Sequence, residues 1–550
     1  MDIISEIKKA IKFTEEKNFE AAEKIYLKIL KEDKENPVVL SFLGLMYIKA
    51  KCIKPAEKYL EKAKKIKINK AVIEGLGFVK YYLEKYEEAA RYFAEAVKTN
   101  KSFDIYDKYI KSLINSGVFT TAYEQAYECF QKYPLKKEAL SNLALCCIHT
   151  GRLMESFKYS RQLITKYPKY GNGWLQYGLI TEMLYHDDKQ AFNCYRKALR
   201  LGEKNKAYCN LAIIATRNGD YKKAVRYLKK SVTPLTDKGE LNFMLATIYF
   251  KQRKFKKAFK HYFLKELDIN WRSPISRLKR PWDGKKYKEE ILLVYNDQGK
   301  GDCIMFSRYF PFLEKKFKHI KIYAGEELAE LFKRSFSKYK KISIHKPKKR
   351  FPHYDKSAVA SNLPYQLKMD NGVFPFAAGY LIADKQKSEY YRKNYFNTDK
   401  LKVGICWEAG GIGWRELIHR TLNISLYEPF FNIAGVQYYS FQVKPCMDNY
   451  KNYPDLTDLG ETFKDFDDTA AALVNLDLLV TVDTSVAHLA GALGVKTFML
   501  LPYVTDWRWF DSTEKTDWYN SIRIFKQKNP ISWDVEINNI KKCIEEMTAE

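Results

Sequence analysis

Along the first half of the chain, apolar and polar positions recur with the period of a helical hairpin. Aligning on a small residue that opens every second helix gives Ala22, Ala56, Ala89, Ala122, Ser156, Ala191, Ala224 and Ala258, at steps of 33 to 35 residues. Twelve or thirteen positions before the last seven stands Gly44, Gly77, Ile110, Ala144, Gly178, Ala212 or Ala246, with Ile110 the only large residue in that series. Aromatic residues return at the helix turn and on the second helix: Phe19, Tyr26, Tyr86, Phe93, Tyr195, Tyr221, Phe255 and Tyr262. Pro134 and Pro168 stop successive units. Small residues let two helices approach closely, while aromatic and leucine side chains fill the space between neighbouring hairpins. The pattern predicts eight hairpins over roughly residues 1–268.

This period and residue pattern resembles the tetratricopeptide repeat. The resemblance implies an α solenoid whose groove, lined by first-helix residues, holds a peptide or protein segment. Asn142, Trp174, Asn210 and Asn242 fall near the starts of first helices. Trp174 occupies a position where such repeats favour tryptophan, and it reads as packing.

After Asp268 the hairpin rhythm stops. Residues 269–287, with two prolines, read as a linker or cap. Apolar, β-rich runs then alternate with helical stretches: Ile291–Tyr295, His319–Tyr323, Val403–Trp407, Val436–Phe441, Leu476–Val482 and Thr497–Leu501, with a helix expected over Cys303–Phe317. Such alternation predicts α/β architecture with parallel sheets, here as two Rossmann-like lobes over 288–395 and 396–550.

Two loops sit where such folds do chemistry, at the ends of strands that lead into helices. The first runs from Asn296 to Asp302 and includes Gly299, Lys300 and Gly301. Its glycines would let backbone amides approach an anion. Asp302 reads either as a helix N-cap or as a general base. The second is Asp483-Thr484-Ser485-Val486-Ala487-His488. There Thr484 and Ser485 would cap a helix and leave amides free for phosphate, and His488 is a substrate contact or a structural histidine.

Together, "NDQGKGDCIMFSRYFPFLEKK" and "LDLLVTVDTSVAHLAGALGVKTFMLLPYVTDWRWF" resemble the heptosyltransferase-like, B-type glycosyltransferase domains that bacteria fuse to tetratricopeptide repeats. "VGICW", Arg420, Gln442 and "DWYNSIRIFKQ" extend the likeness over about residues 290–530. The overall plan is similar to flagellin glycosyltransferases and, more distantly, to O-linked N-acetylglucosamine transferases. The resemblance implies a two-lobed B-type fold that binds a nucleotide sugar. Asp483, Thr484, Ser485 and His488 would hold the donor phosphates, with Gly299 and Gly301 in the facing loop and Gln442 at the nucleotide. Asp302 would be the base and Arg420 would neutralise the leaving group, giving inverting, metal-independent transfer. Two residues depart from the family pattern, Asp297 and Lys300. The stretch "EAGGIGWRELIHRTL" leaves Trp414, Arg415 and His419 without an assigned role, while Trp507, Arg508 and Trp509 match a family segment that also reads as an aromatic cluster around a buried arginine.

Composition narrows the setting. The net charge is +29, from 95 Lys and Arg against 66 Asp and Glu, and Lys333 to Arg350 carries nine basic residues and no acid. That surplus reads first as a solvated lysine-rich surface, with a peripheral membrane contact as the alternative. No nucleic-acid partner is expected. Ten scattered cysteines read as reduced thiols, and no cysteine–histidine spacing or D-x-D pair predicts a metal. Asp467-Asp468 lies in a helical stretch. No signal peptide or membrane span is expected, which points to a cytoplasmic protein. The leading expectation is a glycosyltransferase acting on a protein acceptor, plausibly flagellin or another surface protein. The alternatives are a lipid-linked or polysaccharide acceptor at the inner membrane, or a repeat scaffold with an inactive transferase domain.

Overall fold

The computed structural model describes residues 3–231, 238–266, 280–296, 298–346, 351, 353–410, 420–443, 453 and 455–549. Asp297, Trp414, Arg415, His419, residues 347–350 and most of the expected linker lie outside these.

Helical hairpins fill the first half. Repeats one to four pair Ile3–Glu15 with Phe19–Glu32, Pro37–Lys49 with Ile53–Ile66, Lys70–Tyr82 with Tyr86–Thr99, and Phe103–Asn115 with Phe119–Lys132. Repeats five to eight pair Lys137–His149 with Leu153–Lys166, Gly171–Tyr185 with Asp188–Arg200, Lys204–Arg217 with Tyr221–Ser231, and Lys238–Lys251 with Phe255–Lys265. Local chemistry starts several of these helices. The Asn36 side chain accepts from the Val38 and Val39 amides ahead of Pro37, and Asn18, Asn69 and Asp187 cap in the same way.

All eight residues of the sequence alignment, Ala22 through Ala258, are 0% exposed, so the register read from the sequence is the packing register. The space they leave is tight. A Cβ on Gly44 would lie 2.5 Å from Leu60, one on Gly77 2.8 Å from Phe93, and one on Gly178 2.7 Å from Tyr195. Ile110 follows the same rule with the volumes exchanged. The position in repeat four equivalent to Leu60, Phe93 and Tyr195 is Ala126, and Ile110 and Ala126 are buried in one core cluster. A large first-helix residue is matched by a small second-helix residue, which conserves core volume.

The chain forms two compact units, the first ending at Lys204 and the second beginning at Asn205. Repeats seven and eight therefore pack with the sheet-bearing part, although the hairpin rhythm itself runs on to Lys265. Within this second unit, Phe250 stacks on Trp507 at 4.7 Å, and Tyr221 and Lys251 bond Asp511 at 2.9 and 3.1 Å.

Two parallel sheets follow. The first contains β1 (Tyr287–Tyr295), β2 (Phe317–Tyr323), β3 (Ile342–His345) and β4 (Lys356–Val359) in the order β3-β2-β1-β4. The second contains β5 (Leu401–Cys406), β6 (Val436–Ser440), β7 (Leu456–Asp458), β8 (Leu478–Val482), β9 (Thr497–Leu501) and β10 (Ile522–Lys526) in the order β10-β9-β8-β5-β6-β7. Every pairing between these strands is parallel. The central β8 and β9 are buried at all five positions, which explains why they read as continuous apolar runs. Strands β3, β4, β7 and β10 went unread in the sequence. They are short or carry charge, as in Ile342–His345 and Ile522–Lys526, and take their conformation from a neighbouring strand. The helix expected over Cys303–Phe317 is corrected to Lys300–Ser307 followed by a 3-10 turn, Phe310–Lys315. Pro311 has no N–H to continue the α-helical ladder, and Phe317 already opens β2.

Complementary packing of Gly77 and Phe93 makes a direct prediction. Gly77→Leu should destabilise the repeat unit by about 1–3 kcal/mol. In chemical denaturation, Gly77→Leu with Phe93→Ala should cost less than the sum of the two single changes.

Candidate functional site

In open parallel sheets the ligand crevice lies beyond the strand ends, at the point where strand order reverses. The first sheet reverses between β1 and β4, and the Gly299–Asp302 loop leaves β1. The second reverses between β8 and β5, and Asp483 and Glu408 follow those two strands. Both loops singled out in the sequence thus leave their sheets at switch points.

They also meet. The helix Lys300–Ser307 packs against the helix Ser485–Leu493, closely enough that a Cβ on Gly301 would lie 2.8 Å from the His488 ring and 3.5 Å from the Ser485 Cα. Gly301 is glycine because another helix stands where its side chain would be. Gly299 is the N-cap of its helix with nothing within 4 Å of an added Cβ, so the loop is open on that side.

Asp302 is not the cap. It lies in the first turn, buried, with both carboxylate oxygens accepting from Arg508, at 2.7 Å from Nε and 2.8 Å from Nη2. Arg508 Nη1 donates to Asp506 at 2.7 Å. Burial opposes the charge on Arg508, but Asp302 and Asp506 outweigh it and raise its pKa well above the ordinary guanidinium value. Burial likewise pushes Asp506 up, and Arg508 more than reverses this, leaving the carboxyl below its usual range.

Thr484 is the N-cap of the second helix, its hydroxyl accepting from the Ala487 amide at 3.3 Å. Ser485 is the first helical residue and the partly exposed one of the pair. Arg420 reaches Asp483 by two donations to its carbonyl, at 2.9 and 2.6 Å, and by a 3.2 Å contact with its carboxylate. The segment carrying Arg420 is tied to the end of β5, where the Leu422 amide donates to the Trp407 carbonyl. Burial raises the Asp483 pKa, and Arg420 only partly offsets that. Gln442 is turned inward, its side-chain oxygen accepting from the Glu408 amide at 2.9 Å, so it braces the ends of β5 and β6. His488 is buried, bonded to the Tyr519 hydroxyl at 3.1 Å and stacked on Trp509 at 5.1 Å. Burial first, then Arg508, Arg420 and Arg308, press its pKa well below 6.5, so the ring is neutral.

Asp506, Glu408 and Arg308 complete the arrangement beyond the residues singled out in the sequence, together with Arg508, which the sequence reads within an aromatic cluster. Arg308 is 0% exposed and is held by the carbonyls of Met305 and Trp518 and by the rings of Tyr380, Trp518 and Tyr519. A lone arginine inside the aromatic run "FSRYFPF" was the available signal. Among the described residues no cluster of three or more metal-ligating side chains occurs. Chemically, the arrangement brings two helix N-termini together beside the open Gly299, with Arg420 held on Asp483 at the start of the second helix, a setting suited to an oxyanion.

With this geometry established, residues 206–233, within repeat seven, match the family profile "Tetratricopeptide repeat". The helical half is a solenoid of hairpins like that repeat. Protein FlbA of Caulobacter vibrioides is 22% identical over 467 residues, covering 78% of this chain and 76% of that protein. That share exceeds the helical half, so the likeness runs into the sheet-bearing half. The TPR repeat-containing protein MJ1428 of Methanocaldococcus jannaschii is 26% identical over 193 residues, 34% of this chain and 31% of that protein. Among solved structures, a tetratricopeptide repeat protein from Parabacteroides merdae matches 44% of this chain and 97% of its own, at 15% identity and a TM-score of 0.38. YrrB, described as a TPR protein with an unusual peptide-binding site, matches 33% and 94%, at 16% identity and a TM-score of 0.30.

Two predictions follow from the buried charges beside the repeats. Removing one member of a buried pair leaves the other uncompensated, so Asp302→Asn or Arg508→Met should each cost about 3–5 kcal/mol in denaturant melts. The neutral His488 sets a pH dependence. Unfolded, the ring binds a proton near pH 6.5, whereas folded it does so only at much lower pH. Stability should therefore fall as pH drops below about 6.5, with a slope of up to about 1.4 kcal/mol per unit. Stability curves of His488→Gln should lack that one-proton part of the slope.

Proposed function

We propose that the protein transfers a sugar from a nucleotide-sugar donor to a protein acceptor held by its repeats, such as flagellin or another surface protein. The observation that supports this best is the meeting of two helix N-termini, each leaving a parallel sheet at its switch point, as Gly301 packs on His488. In this reading the two lobes form a B-type transferase. The donor phosphates lie at Gly299, Thr484 and Ser485, with Arg420 neutralising the diphosphate or phosphate that departs. The acceptor hydroxyl attacks the anomeric carbon from the opposite side, its proton passes to Asp302, and the configuration inverts. Asp302 takes up this role when Arg508 exchanges its carboxylate for the charge of the bound donor. His488, Gln442 and Asp483 hold the wall in place. No metal is needed for this chemistry, and the protein would act in the cytoplasm.

A second reading is a non-catalytic repeat scaffold, favoured by the double engagement of Asp302 by Arg508. The lipid-acceptor reading has less support, because part of the basic stretch is already paired. Lys333 and Lys346 meet Glu330, and Arg334 meets Asp384 and Asp467.

A thermal-shift screen of the full chain against CMP-, UDP-, GDP- and ADP-linked sugars separates enzyme from scaffold. At a free donor concentration of 100 times Kd, binding stabilises the fold by about 2.7 kcal/mol. Ser485→Glu places a carboxylate at a helix start, where the fold tolerates it and a phosphate does not. The expected result is a shift with one nucleotide class that is lost in Ser485→Glu. No shift with any donor would favour the scaffold.

A further inference from the structure

We propose that the surface where the second helix of repeat five meets both helices of repeat six is a binding site for an extended acidic peptide segment of a protein partner. An open pocket of about 570 Å³ lies there, all within the first compact unit. Ile164 from Leu153–Lys166 and the buried Cys194 from Asp188–Arg200 give it an apolar floor. Trp174 and Tyr177 form a wall, and both are fixed. The Trp174 indole donates to the Pro168 carbonyl at 2.9 Å, and the Tyr177 hydroxyl accepts from Gln190 at 3.3 Å. The sequence placed Trp174 as packing only, whereas the structure makes it pocket surface.

The rim is cationic. Arg196, Lys197 and Arg200 line the pocket, all three exposed. Among the described residues Lys197 and Arg200 form no ion pair, and Arg196 lies over the Phe192 ring. The only acid on their helix is Asp188, at its start, and the negative end of the helix dipole lies by Arg200, where it favours these charges without neutralising them. Residues 196 and 200 are one helical turn apart, about 6 Å along the axis. Alternate side chains of an extended peptide are about 6.6 Å apart, so two carboxylates on one face of the peptide match the two guanidiniums. An apolar side chain further along that same face of the peptide would fill the floor at Ile164 and Cys194, which a sugar–phosphate backbone would leave empty. That is why the observations favour a peptide over a nucleic acid.

This site takes its wall from the first helix of repeat six and its cations from the second, so it reaches beyond the first-helix groove expected from the sequence. It rests on the part of the proposed function that makes the repeats protein-binding, and it stands or falls without sugar transfer. The test is fluorescence polarisation of the full chain, without nucleotide, using a labelled twelve-residue peptide that carries glutamates and a leucine on one face and serine at the alternate positions. Its partners are the same peptide with glutamine for glutamate and a twelve-nucleotide thymidine oligomer. R196E/R200E should weaken acidic-peptide binding about tenfold. K229E/K230E changes the net charge equally, on exposed residues of Tyr221–Ser231, and should leave binding within about twofold. Circular dichroism melts confirm that both variants remain folded. The proposal is overturned if the glutamine peptide binds as well, if both charge reversals act alike, or if the oligomer binds more tightly and depends on Arg196 and Arg200. Donor thermal shifts are measured separately, so loss of peptide binding and loss of the transferase reading remain distinct results.

Discussion

The Asp302–Arg508 ion pair is the constraint on which the sheet-bearing half depends. Asp302 stands on the helix that leaves β1 in the first sheet, and Arg508 on the turn that follows β9 in the second. A buried pair of this kind adds little net stability compared with apolar packing, but it fixes register, because any other arrangement would strand a charge. Asp506 on the far side of Arg508 and Arg420 on Asp483 extend the same principle to neighbouring charges. With charges so placed, His488 cannot gain a proton cheaply. It stays neutral as the ring on which Gly301 rests.

The last two repeats belong to this construction. Phe250 stacks on Trp507, the residue before Arg508, while Tyr221 and Lys251 meet Asp511 just beyond it. Arg253 adds two bonds to Asp517, at 2.6 and 2.7 Å. The short turn carrying Arg508 is therefore clamped by helices from repeats seven and eight as well as by its own lobe. The boundary between compact units consequently falls inside the repeat array, ahead of the point where the hairpin rhythm ends.

Sites in the two halves are built differently. In the repeats, the pocket surface is made of side chains on regular helices, such as the exposed cations of Asp188–Arg200 above an apolar floor. In the sheets, the candidate site is made of backbone, where strand order reverses and helices begin. Thr484 and Gly299 act as caps in this setting, and Gln442 acts by bracing the ends of β5 and β6.

The sequence by itself determined the repeats almost completely. Each hairpin is a local unit whose small and large residues face one another at fixed spacing, so Ala22 through Ala258 could be read without tertiary information. The fully buried apolar strands β8 and β9 and the two glycine- and threonine-marked loops were legible for the same reason, since burial on both faces and helix capping leave short-range patterns. The exchange of volumes at Ile110 and Ala126 was decided in the packed core. So were the edge strands β3, β7 and β10, which depend on a neighbour for their hydrogen bonds. The role of Asp302 belongs to tertiary structure above all. In sequence it is an acid after a glycine, read from the residues alone first as a cap, and its partner lies 206 residues away. Only folding brings that guanidinium into a buried site where a charge without a partner would be too costly to keep.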